Sequence, residues 1–202
     1  MRKLLLLLLL FPLISFAKFY EGTITLKDGT VKSGLVEVPR HSKADEIKFK
    51  VGVKGKEEIL EIKNVSAFTI INDGQTLEYI TLKLSSPKLL SRKYKVDEEI
   101  SWVRVDYEGD ISLVIAFLTD PLSSRSGEPV YYIHKKGEDY CSYVAIFYSN
   151  LIQIAHFSEI KSACEVIFKD DCPQLPEKLT KEAFKERNLM AIIDLYRELC
   201  GK

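Results

Sequence analysis

GTITLKDGTVKSGLVEV, residues 22 to 38, sets how the rest of the chain is read. Ile24 and Leu26 alternate with Thr23, Thr25 and Lys27, the two-residue period of a strand with one dry face and one wet face. Asp28-Gly29 then supplies a turn that tolerates positive φ, and Val31 opens a return strand. In the return strand Val31 and Leu35 share one phase while Val36 and Val38 share the other. Gly34 stands at the change, so the spacing predicts a β-bulge there, a device that curls a hairpin as small barrels require.

Working outward, strand-like runs follow at short intervals: EIKFKVGV, EEILEIKNV, SAFTIIN, LEYITLKL, KLLSRKY, SWVRVDYEG, DISLVIAFL, PVYYIHKK and YCSYVAIFY. Asn72-Asp73-Gly74 and Glu108-Gly109-Asp110 have the composition of hairpin turns. TDPLSSRSGEP, residues 119 to 129, reads as an exposed connection and as the loop best suited to meet a partner. From about Ala155 the period changes. Phe157, Ile160, Cys164, Ile167 and Phe168 fall at helical spacing, with Ser158 as a cap. Leu189, Ile192, Ile193, Tyr196, Leu199 and Cys200 do the same behind a capping Asn188, and Thr180 caps a short helix at KEAF between them. The fold class is therefore α+β: mainly antiparallel β, arranged as a meander, sandwich or partly open barrel, then a small C-terminal helical cap. Residues 18–154 form the β-rich domain and 155–202 the helical tail packed on it.

The first 17 residues, MRKLLLLLLLFPLISFA, have a basic start, an apolar centre and a small-x-small ending, the layout of a Sec-type signal peptide. The apolar stretch is shorter than the about 20 residues a spanning helix needs. No cysteine follows the cut expected after Ala17, which speaks against a lipid anchor. The expected address is the periplasm or the exterior, with no transmembrane segment in the mature chain. Lys and Arg number 29 and Asp and Glu 29, and losing Arg2 and Lys3 with the leader leaves a slight negative excess. Such a balance offers no field to hold nucleic acid.

The four cysteines are Cys141, Cys164, Cys172 and Cys200. An oxidising compartment and an even count favour disulfides, and four thiols allow three full pairings. Cys172 ends the first tail helix before a proline and Cys200 ends the last, so a Cys172–Cys200 bridge would close the tail onto itself. Cys141 and Cys164 stand as a second pair or as two buried thiols. Between Lys169 and Leu179 the sequence KDDCPQLPEKL places Asp170 and Asp171 beside Cys172. No C-x-x-C dithiol and no Asp-rich calcium loop surrounds them, so this stretch reads as a joint of the scaffold, with Asp171 capping the turn at Pro173.

The tail VIFKDDCPQLPEKLTKEAFKERNLMAIIDLYRELC resembles the ending of an uncharacterised group of secreted or periplasmic Bacteroidota proteins, in which D-C-P-x-L leads through a Phe-bearing helix to Y-x-x-x-C. Asp171, Cys172, Pro173, Leu175, Phe184, Ile193, Tyr196 and Cys200 carry the resemblance, and the hairpin at residues 22–38 is similar to that group's first hairpin. The resemblance implies export and a paired-cysteine tail. It implies no catalytic residue, and Cys141 and Cys164 lie outside its pattern.

His41, His134 and His156 are far apart, without H-x-H or H-E-x-x-H spacing. The run from His134 to Asp139 sets a base beside acids but reads more simply as a hairpin turn. His134, Glu138, Asp139 and Trp102 are kept as weak surface candidates, and Tyr131-Tyr132 as aromatics of which alternation buries one. No G-x-S-x-G, P-loop or dinucleotide fingerprint occurs. No metal, cofactor or catalytic residue is called for. The residues favour a non-catalytic module that binds an envelope protein or a glycan. The alternatives are a hydrolase or small-ligand carrier whose site assembles in three dimensions, and a purely structural envelope protein.

Overall fold

Hairpins set the architecture. The structure, a computed structural model, describes residues 19–88, 94–117, 128–146 and 157–201. Among them lie ten strands: β1 (Phe19–Leu26), β2 (Val31–Glu37), β3 (Glu46–Lys50), β4 (Glu57–Glu61), β5 (Val65–Asn72), β6 (Gln75–Pro87), β7 (Tyr94–Tyr107), β8 (Ile111–Phe117), β9 (Pro129–Lys135) and β10 (Tyr140–Ile146). A one-turn 3-10 helix (Ile62–Asn64) precedes β5, and α1 (Phe157–Ile167), α2 (Leu175–Lys178), α3 (Lys181–Arg187) and α4 (Met190–Leu199) complete the chain. The protein is thus mostly β with a small C-terminal helical region, as the sequence predicts. The boundary expected at residue 154 and most of the 119–129 loop lie outside the described residues, as do His156 and most of the KLLSRKY run.

The turns follow their chemistry. Gly29 closes β1–β2 at φ 86°, with the Thr30 amide donating to Asp28 Oδ1 at 2.9 Å. Asp73 and Gly74 both take positive φ between β5 and β6, as a two-residue primed turn demands. Of the run from His134 to Asp139, His134 and Lys135 end β9, and the four residues from Lys136 to Asp139 form the hairpin turn, with Gly137 at φ 94°.

The strands form one sheet in the order β10-β9-β8-β7-β6-β5-β1-β2-β3-β4, and β10 also pairs with β6. That last pairing is parallel and short, with Tyr140, Cys141 and Ser142 opposite Lys83, Leu84 and Ser85. It closes β6 to β10 into a five-stranded barrel; of the three arrangements expected for the sheet, the barrel forms, and it is shut. Register shifts between Lys83 and Ser85, Val105 and Tyr107, and Tyr143 and Ala145 bend the barrel strands at the places where so small a barrel must turn.

The bulge expected at Gly34 does not form. The β1–β2 register runs unbroken, with Gly34 opposite Gly22, and the β1 irregularity sits instead at Thr25/Leu26 against β5. Both glycines answer to space. A Cβ on Gly34 would lie 2.3 Å from the Lys50 carbonyl oxygen and 2.8 Å from the Phe49 ring, and one on Gly22 would lie 1.9 Å from the Thr69 carbonyl oxygen. Val31 is simply exposed, and Val36 carries the buried phase.

Three cores result. Leu82, Leu84, Val103, Val114, Tyr132 and Cys141 fill the barrel. On the other face of β6 and β7, Phe68, Tyr79 and Trp102 anchor a second core with Ile24, Val36 and Phe49; Phe68 stacks on Tyr79 at 4.5 Å and meets Trp102 edge-on at 5.3 Å. Strands β6 and β7 are thus a shared wall. Outside the barrel, α1 lies against β10 and α4 against β8, burying Ile111, Leu113 and Ile133 under Phe157, Ile160 and Ile192.

The tail is closed as expected. Cys172 and Cys200 are disulfide-bonded, with Cα atoms 5.9 Å apart. Thr180 caps α3 by accepting the Ala183 amide at 3.1 Å. Three expected caps differ. Ser158 lies inside α1. Asn188 ends α3 at φ 56° rather than starting α4, its amide bonded to the Phe184 carbonyl. Asp171 caps no turn: its side chain takes Lys135 Nζ at 2.8 Å and Tyr196 Oη at 3.3 Å. Lys135 Nζ also donates to the Ile167 carbonyl at 2.6 Å, so a strand lysine satisfies the end of α1. Two acids at a helix C-terminus are tolerable because this ammonium stands beside them.

Candidate binding clefts

The free thiols are separated by the barrel wall. Cys141 points into the barrel core and Cys164 into the helical layer outside, and both are unbonded. The second expected pair does not form: the two thiols belong to different cores. Burial pushes the Cys164 thiol up to about 12 and raises that of Cys141 further, so neither is a ready nucleophile.

Trp102 is not a surface residue. It is 2% exposed, and its indole N–H donates to the Ala44 carbonyl at 2.9 Å. Strand alternation turns it toward the Phe68 core while Val103 faces the barrel. Tyr132 is likewise inside the barrel, with burial raising its phenol, and Tyr131 is half-buried against the outer helices. Asp139 is a true surface group: the Lys83 ammonium at 2.7 Å holds its carboxyl below the usual range.

His134 stands at a cleft of about 590 Å³. Glu78 and Ile80 of β6, Val105 of β7, Ser112 of β8 and His134 of β9 line it. All five share the phase of the barrel-filling residues Leu82, Val103, Val114 and Tyr132, so the cleft is the open end of the barrel. Its rim is the β7–β8 turn with Glu108 and Asp110, and α4 flanks it through Ile193, Tyr196 and Arg197. The disulfide pins the end of that helix two residues beyond Glu198. Asp171, next to the other half-cystine, holds Tyr196. Burial, then the neighbouring Glu108, raises the Glu78 carboxyl above its ordinary value.

Two polar groups in the cleft are already engaged. His134 Nε2 bonds the Glu138 carbonyl at 3.0 Å, and Ser112 Oγ accepts the Gly109 amide at a long 3.4 Å. Ser112 and His134 are cross-strand partners, but His134 Nε2 is turned into its own hairpin.

A second cleft of about 460 Å³ lies over the seam between β6 and β10. Glu138 belongs here, with Tyr140, Ser142 and Ser85 of the two seam strands, Tyr94 of β7, and Asp170 and Asp171 beyond α1. The run from His134 to Asp139 thus divides its candidates between two clefts and the surface. Glu78, Arg197 and Ser85 escape a sequence reading. For Glu78 one signal exists: in LEYITLKL it occupies the inward phase of Ile80 and Leu82, where an acid is out of place. For Ser85 and Arg197 no local signal exists, since their neighbours come from other strands.

Among the described residues no three His, Cys, Asp or Glu side chains converge as a metal site requires, and no helix is long and apolar enough to cross a membrane. No protein-family model matches the chain, and no curated protein or solved structure matches it.

Proposed function

We propose that the protein is an exported, non-catalytic binding module of the cell envelope that takes its ligand at the open end of the barrel. The observation that carries this reading is the barrel-mouth cleft itself. Its volume is in the range of small-ligand sites, with an apolar floor and a few polar groups around it. Ile80, Val105 and Ile193 supply the floor, and Glu108, Asp110 and Arg197 the rim. The disulfide supports export, since such bonds persist in oxidising compartments. The engagement of His134 Nε2 by the Glu138 carbonyl supports binding over hydrolysis by a Ser112–His134 pair.

The test compares capture from a native envelope extract by the mature chain and by a Glu108→Lys/Arg197→Glu variant. Both residues are exposed at the rim, so the fold should survive, as circular dichroism would verify. The expected result is a species retained by the parent chain and lost with the variant. Identical retention by both, or retention by neither, overturns the assignment of the cleft.

A further inference from the structure

We propose that the cleft over the β6–β10 seam is a carbohydrate subsite that takes one neutral sugar residue. This goes beyond the barrel-mouth reading and does not rest on it.

The carrying observation is Ser85. It is 1% exposed, it lines the seam cleft, and its Oγ has no hydrogen-bond partner among the described residues. A buried hydroxyl without a partner is unfavourable, and an alanine there would remove the penalty. A ligand hydroxyl in the cleft would supply the missing partner. Ser85 stands opposite Ser142 in the parallel pairing that closes the barrel, so two hydroxyls are presented side by side at one place on the wall.

The remaining groups choose the chemistry. Tyr94 and Tyr140 contribute rings and phenol oxygens. Tyr94 Oη spends its proton on the Tyr143 carbonyl at 2.8 Å and is left to accept. Glu138, Asp170 and Asp171 accept only, while Lys135 is already held by Asp171 and the Ile167 carbonyl. Three carboxylates against one committed ammonium repel an anion. They do not converge with any His or Cys into a cation site. A sugar hydroxyl donates and accepts at once, so a polyol can donate to the carboxylates while accepting from Ser85 and Ser142. Val96, Val166 and Ile167 offer apolar surface for its C–H face.

The experiment is an amide-resolved NMR titration of the mature, disulfide-bonded chain with neutral trisaccharides of glucose, mannose and N-acetylglucosamine. Glucuronic acid and spermidine serve as charged controls. The expected result is that one neutral trisaccharide shifts the amides of Ser85, Tyr140, Ser142 and Asp171. Ser85→Ala should weaken that binding about fivefold, the loss of one hydrogen bond, with the melting temperature unchanged or raised. Tyr140→Phe should weaken it by a similar factor. The proposal is overturned if no neutral sugar moves these amides up to about 20 mM, a weak-binding limit. It is equally overturned if a charged control binds there more tightly, if the shifts centre on the barrel mouth, or if Ser85→Ala binds as the parent does. Loss of folding in Ser85→Ala would show that the hydroxyl serves the fold, which also refutes it.

Discussion

The two sides of the β6–β7 wall are built from the same alternating strands but end differently. On one side the sheet closes on itself through β10 and β6, and α1 and α4 cover part of its outside. On the other side β5, β1, β2 and β3 curl around Phe68 and stop at β4, an unpaired edge among the described residues. The edge is managed by charge. Glu57, Glu58 and Glu61 surround Ile59, which is 55% exposed, and Glu57 and Glu58 pair with Lys50 and Lys32. Edge strands are blunted in this way to deter pairing with other chains. Pairs so exposed add little stability themselves. Alternation makes strands; bulges and a covering helical layer decide whether they close.

The comparison predicts that the barrel side carries global stability and that the β4 side opens first. Tyr132 is about 1% exposed inside the barrel, edge-on to Tyr143 at 6.0 Å. Tyr132→Ala should cost about 3–5 kcal/mol, as emptying a large aromatic site does, read by urea unfolding. In the parent chain, amides of β8 and β9 should exchange only through global unfolding, while those of β3 and β4 exchange through smaller openings. Equal protection on both sides would break the distinction.

Next in size is the disulfide, which exists only on the closed side. It links positions 28 apart, and the chain-entropy estimate for such a loop is about 3–4 kcal/mol. The Cys172→Ser/Cys200→Ser variant should lose up to that amount. Its first effect should be faster exchange in α4 and at Tyr196, where the helix walls the barrel mouth. Loss spread evenly into β1–β4 would mean the bridge serves the whole fold rather than the tail.

A smaller effect is expected on the shared wall. Trp102→Phe keeps most of the ring packing against Phe68 but leaves the Ala44 carbonyl without its indole donor. Ala44 is half-buried, so the loss of this hydrogen bond should cost about 1 kcal/mol. The loss should appear in the β1–β5 side and leave β9 protection unchanged, because Trp102 faces away from the barrel.

Much of this was legible in the sequence where the determinants are local. Asp28-Gly29 and Asn72-Asp73-Gly74 announce their hairpins because positive φ needs those residues. The helical periods after residue 156 and the Cys172–Cys200 closure also follow from spacing. What escaped depends on residues distant in the chain. The seam pairs Leu84 with Cys141, and no period encodes which strands meet. Trp102 reads as a surface aromatic until its neighbours Phe68 and Tyr79 are in place. Gly34 reads as a bulge because the sequence does not show the Phe49 ring and Lys50 carbonyl that occupy its Cβ space. The candidate clefts were less legible than the fold: His134 and Glu138 were visible as polar residues in a turn, but the walls that make them lining residues come from β6, β7 and α4.

The smallest expected effect lies where the wall meets the barrel mouth. Burial and Glu108 raise the Glu78 carboxyl above its ordinary value, so the folded protein holds that proton more tightly than the unfolded chain. Stability therefore falls as pH rises from the ordinary carboxylate range through the raised value, since the native state then binds more protons than the unfolded one. Glu78→Gln removes this term. Its melting temperature should match the parent's at about pH 4 and exceed it by about 1 °C at pH 7, a shift worth a few tenths of a kcal/mol for a chain of this size. A variant that melts lower at neutral pH would show that the charged carboxylate has a partner at the barrel mouth, and the acid would then belong to the scaffold of the cleft rather than to its open, ligand-facing side.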